Sequence, residues 1–233
     1  TRAAWRHFLY FFVCIALGVG ALVGVSLFAT NVERAVTREA RGLLGGDLEV
    51  SRMGFGAMRI TGDGIWGPPP DVEAALTVLK RAQALGVNFI DTADAYGPDV
   101  SEELIHQALH PYPAGFVVTT KGGMTRQGPN RWAADCRPEH LRLACDASLQ
   151  RLGIERHELY QLHAVDSKVP YAESVGELGR LQREGKIRHI GVSNVSVEQL
   201  AEARAIVKVV SVQNRYNVAD RDSEPVLQVC ERD

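Results

Sequence analysis

The sequence predicts an α/β protein: an incomplete (β/α)8 TIM barrel of about six βα units, preceded by a hydrophobic, transmembrane-like helix. Three observations predict it. From residue 53 onward, short apolar runs alternate with helical patterns, which implies right-handed crossovers and a parallel sheet covered on both faces. Four reactive side chains each follow such a run: Asp91 and Tyr96 after VNFI, Lys121 after FVVTT, and His163 after LYQL. In a barrel the loops at the carboxyl ends of the strands converge on one mouth, so groups spaced in this way meet. A doubly wound dinucleotide fold shares the alternation but carries G-x-G-x-x-G after its first strand. Here Gly62, Gly64 and Gly67 have another spacing, in a loop with three prolines that suits a turn better than a phosphate cradle.

The elements follow in order. Phe8 to Ala29, FLYFFVCIALGVGALVGVSLFA, carries no charge and at ~1.5 Å per residue spans a ~30 Å bilayer core, so it reads as a membrane helix. Gly20 and Gly24 give it a G-x-x-x-G face suited to close helix approach. Arg2 and Arg6 precede the run and Arg34, Arg38 and Arg41 follow it, which leaves orientation open. A further helix with Val32, Ala35, Val36, Ala40 and Leu43 at helical spacing is expected to stop at Gly45-Gly46. WRHFLYFFVCIALGVGALVGVSLF with LLGGDLEVS resembles the first span of permeases of the FtsX-like or MacB-like type. The expected domains are therefore 1–44, the span and the helix after it, and 45–233, the barrel.

MGFGAMR, Met53 to Arg59, reads as the first strand. Asp71 opens a helix whose Val72, Ala75, Leu76, Leu79 and Ala82 share one face, and Gly86 closes it. VNFID, a helix near Ser101 to Leu109, and FVVTTK follow. Pro138 sits in the first turn of the next helix; Leu141, Ala144, Cys145, Ser148 and Leu149 form its buried stripe, and Gly153 ends it. LYQLH, a helix over Tyr171 to Glu184, and the strand IRHIGVSN come next. Ser196 and Gln199 make a capping box, and VKVVSVQNRYN supplies the sixth strand.

Composition narrows the function. A formal charge of −2 and a pI near 6.4 give no electrostatic reason to expect nucleic acid. Cys14, Cys136, Cys145 and Cys230 form no C-x-x-C pair and have no histidine at ligand spacing, so neither a disulfide framework nor a metal site is expected. They read as buried or half-exposed thiols. His7, His106, His110, His140, His157 and His189 read as solvent-facing or loop residues, and Glu102 and Glu103 as helix N-terminal charges. Trp66 and Trp132 lie in loops bordering the mouth and are candidates for substrate contact or simple packing.

GFGAMRITG, NFIDTADAYGPDVSEELIHQAL, VVTTKGG, RPEHLR with SLQRLGIERHELYQLH, LQREGKIRHIGVSN and VSVQNRYN together resemble the aldo-keto reductase family over about residues 45–233. The resemblance implies reduction of aldehydes or ketones with a nicotinamide cofactor, NADP preferred and NAD allowed. It places a catalytic tetrad on Asp91, Tyr96, Lys121 and His163, and nicotinamide contacts on Ser193, Asn194 and Gln213. In that chemistry Tyr96 is the general acid. A free phenol titrates near 10, and an ammonium at Lys121 is expected to lower it. Asp91 would hold Lys121 charged, and His163 would orient the carbonyl oxygen.

The resemblance also implies a shortfall, since residues 45–233 are fewer than the ~250 an eightfold barrel usually takes. GGDL at Gly45 to Leu48 fits both resemblances, so a truncated barrel fused there to an unrelated membrane segment is expected. The reductase module belongs with the cytosolic cofactor pool, with residues 8–29 as a tether, and its partner is a small carbonyl substrate. A second reading keeps the fold as a non-catalytic, membrane-associated cofactor-binding subunit, and a third as an inactive chimera. Oligomeric state is not readable.

Overall fold

Six of the apolar runs pair as one parallel sheet. In chain order its strands are β1 (Phe55–Gly56), β2 (Phe89–Asp91), β3 (Val117–Gly122), β6 (His157–Leu162), β7 (Ile187–Ser193) and β8 (Val209–Gln213), and each pairs with the next. The computed structural model describes residues 48–232. The charge-free run at 8–29, the helix expected after it and the domain boundary at 44/45 lie outside the described residues. Among the described residues no helix is long and apolar enough to cross a membrane.

The crossovers are helices: α1 (Val72–Ala84), α2 (Val100–Leu109), α3 (Pro138–Leu152), α4 (Tyr171–Arg183) and α5 (Val197–Ile206), with α6 (Glu224–Cys230) after β8. Their ends obey the signals in the sequence. Asp71 accepts a hydrogen bond from the Ala74 amide at 2.9 Å, and both halves of the Ser196–Gln199 capping box form. Gly153 ends α3 in the left-handed region, at φ 65°.

Two expectations need correction. The first strand is only Phe55–Gly56, because the chain turns at once into a 3-10 helix, Ala57–Ile60, that buries both Ala57 and Ile60. Residues three apart on a 3-10 turn share a face, so this stretch gains more from packing as a turn than as a strand. Between β3 and α3, where no element was expected, an antiparallel hairpin forms from β4 (Met124–Arg126) and β5 (Trp132–Ala134).

The core lies in two layers between sheet and helices. One packs Leu76, Leu79, Leu104 and Ile105 against Ile90 and Val118; the other packs Leu141, Leu178, Leu181 and Leu200 against Leu162, Ile190 and Val192. On β7, Gly191 marks a close approach: a Cβ there would lie 2.3 Å from Ser211 Oγ and 2.8 Å from Gln161 Cγ. Only because that position is bare does Gln161 Nε2 reach across β7 to donate to Ser211 Oγ on β8, at 3.1 Å. Strands β1 and β8 form the edges of the sheet.

Candidate active site

The strand pleat sorts β3 into two chemistries. Alternate side chains point to opposite faces, so Thr120 donates outward to the fully buried Glu102 of α2 while Lys121 turns the other way. Lys121 is 1% exposed, and its Nζ lies 2.7 Å from Asp91 Oδ1 at the tip of β2. The same nitrogen donates to the Thr92 carbonyl at 2.8 Å and sits 5.2 Å from the centre of the Tyr96 ring.

Tyr96 stands in the loop after β2, buried, its amide bonded to the Ala93 carbonyl and its carbonyl accepting from the Ser101 amide. Its ring meets His163 edge to face at 5.7 Å and Trp132 at 6.3 Å, and Trp132 meets His163 at 6.3 Å. His163, just past β6, is fixed through its amide to the Gly122 carbonyl at 2.9 Å. Its Nδ1 is buried without a hydrogen-bond partner. The structure thus brings Asp91, Tyr96, Lys121 and His163 together.

Burial dominates the electrostatics. It pushes the Tyr96 phenol above its usual 10, with Asp91 and Asp94 adding to the effect, so the group stays a protonated donor at neutral pH. This departs from the expectation that Lys121 lowers it. The physical reason is burial first, which disfavours the phenolate, and then the negative charge of Asp91 and Asp94 beside it. Burial also pulls Lys121 down, opposed by Asp91. His163 is pushed down to about 3, first by burial and then by Lys121, and is therefore a neutral imidazole.

The second group lies on the neighbouring strand ends. Ser193 pairs in register with Gln213, and Asn194, at φ 57°, follows directly. The Asn194 side-chain amide donates to the His163 carbonyl at 3.0 Å and to Ser193 Oγ at 3.1 Å, and its backbone amide donates to the Gln213 carbonyl at 3.1 Å. Asn194 therefore ties the expected cofactor contacts to the tetrad. Gln213 borders a cavity of about 1010 Å³ that Asp91, Gln161 and Ser211 also line. Among the described residues no cluster of His, Cys, Asp or Glu is placed to hold a metal ion.

Sequence reasoning missed several neighbours. Glu102 lies in the first turn of α2 as expected, yet it is 0% exposed, and Arg151 Nε of α3 lies 2.6 Å from its Oε2. Their separation in sequence left no local signal. Asp94 is buried and its carboxyl is raised well above the usual range, by burial and then by Glu102. His157, expected in a loop or facing solvent, is 0% exposed on β6, with Nε2 3.3 Å from the Cys145 carbonyl. Arg126, at the end of β4, stacks on Trp132 with its guanidinium carbon 3.7 Å from the ring centre.

A parallel β/α sheet with polar groups gathered at the carboxyl ends of β2, β3, β6, β7 and β8 has the architecture of a β/α barrel. The chain belongs to the Aldo/keto reductase family, whose profile matches residues 52–233. It is 50% identical to an uncharacterised oxidoreductase of Schizosaccharomyces pombe over 187 residues, covering 80% of this chain and 61% of that protein. It is 39% identical to pyridoxine 4-dehydrogenase of Escherichia coli over 194 residues, covering 81% and 68%. Among solved structures, a glycerol dehydrogenase of Gluconobacter oxydans superposes with a TM-score of 0.73 at 35% identity, covering 81% of this chain and 58% of that one. The chain thus spans between about half and two thirds of the length of such relatives.

Proposed function

We propose that residues 45–233 form a reductase module that converts aldehydes or ketones to alcohols with a nicotinamide cofactor, NADP preferred, using Tyr96 as general acid. The observation that carries this is the Lys121 ammonium set between Asp91, at 2.7 Å, and the Tyr96 ring, at 5.2 Å. The bound cofactor supplies the hydride that reduces the carbonyl carbon. Tyr96 hands its proton to the oxygen as negative charge develops there, and the nearby ammonium stabilises the phenolate left behind. Asp91 and the Thr92 carbonyl keep Lys121 charged and aimed in a dry site. The neutral His163 ring, packed edge to face on Tyr96, donates to the carbonyl oxygen and sets its angle.

Ser193, Asn194 and Gln213 are the groups that would hold the nicotinamide carboxamide, since hydroxyl and amide side chains offer both donors and acceptors. Their fit rests on Gln213 reaching the cavity and on Asn194 coupling that edge to His163. The three rings of Tyr96, Trp132 and His163 make an aromatic border that suits a flat aldehyde. The pyridine aldehyde corresponding to the E. coli relative's named alcohol belongs first in a substrate panel.

The test is NADPH consumption by the intact chain across that panel. Tyr96→Phe is expected to lower kcat by about 10²–10⁴-fold while leaving cofactor affinity within about twofold. Cofactor binding with no turnover on any carbonyl would overturn the proposal.

A further inference from the structure

Arg126 takes no part in the chemistry above, yet it converges on more of the mouth than any tetrad residue does. One terminal nitrogen donates to the Ile65 carbonyl at 2.8 Å and the Ala95 carbonyl at 3.2 Å. The other donates to the Gly64 carbonyl at 2.7 Å and the Gly128 carbonyl at 3.3 Å. Three separate segments are joined: the loop after the 3-10 helix, the loop that carries Tyr96, and the tip of the β4–β5 hairpin. The flat face of the guanidinium lies on Trp132 at 3.7 Å, with Trp66 at 5.9 Å, and Trp132 in turn meets Tyr96 and His163. Gly64 and Ile65 both sit at positive φ, 65° and 57°. For a β-branched residue such as Ile65 that conformation persists only where surroundings enforce it, and the two carbonyls it presents are the ones Arg126 takes.

We infer that Arg126 is a positioning residue that assembles the substrate mouth, fixing Trp132 against the Tyr96–His163 pair and holding the Ala95 carbonyl one residue before the general acid. The inference rests on the reductase reading of the site. Lysine cannot replace it: an ammonium has no planar face for Trp132 and cannot serve four divergent carbonyls at once. Loss of the latch loosens substrate placement and leaves the β7–β8 contacts to the cofactor intact.

The experiment compares intact wild-type protein with Arg126→Ala, Arg126→Lys and Trp132→Ala by hydrogen exchange, cofactor titration and steady-state kinetics. Arg126→Ala is expected to raise exchange in residues 62–67 and 124–135 and to lower kcat/KM about 10–100-fold, chiefly through KM, with cofactor affinity within about twofold. Arg126→Lys repeats the defect, free guanidinium at non-denaturing concentration restores part of KM to Arg126→Ala, and the double variant is no worse than the poorer single one. Unchanged exchange and KM in Arg126→Ala, or losses that multiply in the double variant, overturn the inference. If Arg126→Ala fails to fold, the Lys variant decides: wild-type KM with wild-type exchange refutes the latch. If wild-type protein turns over no carbonyl, the reductase reading falls, and the exchange pattern alone upholds or refutes the latch.

Discussion

The two ends of the site are built differently. On the β2–β3 side every residue of β3 is buried, Lys121 is clamped between Asp91 and the Thr92 carbonyl, and a second polar layer backs the strand from outside. There Glu102 receives Thr120 and Arg151, and Thr92 Oγ1 donates to Ser101 Oγ at 2.8 Å. On the β7–β8 side the last strand is half-exposed along its whole length, an edge of the sheet against an open cavity. The contrast teaches that the groups around Lys121 are held by redundant contacts, whereas Gln213, proposed to meet the cofactor, sits on a half-exposed edge of the sheet. Stability and binding should therefore separate by region.

The sharpest way to break that division is Arg151→Met. It leaves the 0% exposed Glu102 without its counter-ion, and should cost about 3–5 kcal/mol in urea unfolding of the intact chain. A loss below about 1 kcal/mol would mean that the outer layer contributes little.

Acid offers a second route. His157 is pushed down to about 4 by burial, so the folded protein holds a neutral ring while the unfolded chain takes up a proton below about 6.5. Stability should thus fall as pH drops from about 6.5 to about 4, by up to ~1.4 kcal/mol per pH unit from this group. His157→Gln should flatten that part of the unfolding profile; an unchanged slope assigns the effect elsewhere.

The smallest effect is expected at the open edge. Gln213→Ala should leave stability within about 0.5 kcal/mol of wild type, since the side chain borders a cavity. Cofactor affinity should drop about tenfold, the equivalent of one lost hydrogen bond. A destabilised variant with unaltered affinity would reverse the assignment of this edge.

What the sequence disclosed follows the same divide between local and distant causes. Helix ends were readable because their signals lie within four residues: Asp71 with Ala74, Ser196 with Gln199, and Gly153 at a left-handed turn. The cluster of Asp91, Tyr96, Lys121 and His163 was readable because each lies at the carboxyl end of its strand or a few residues past it. Glu102 was not, because the residue that makes its burial tolerable lies on another helix, at Arg151. Nor was Arg126, whose partners are backbone carbonyls, and a carbonyl has no letter in the sequence. The shortened β1 shows packing overriding an apolar run: Ala57 and Ile60 reach the core only if the chain coils.

Gly191 turns this architecture into a tool. A single methyl at that position must wedge against the Ser211 and Gln161 side chains and so break the bridge they make across β7, beside the strand that ends in Gln213. Gly191→Ala is thus a one-carbon shim that probes whether the far lip of the cleft serves the proposed cofactor, while Tyr96 keeps its own contacts.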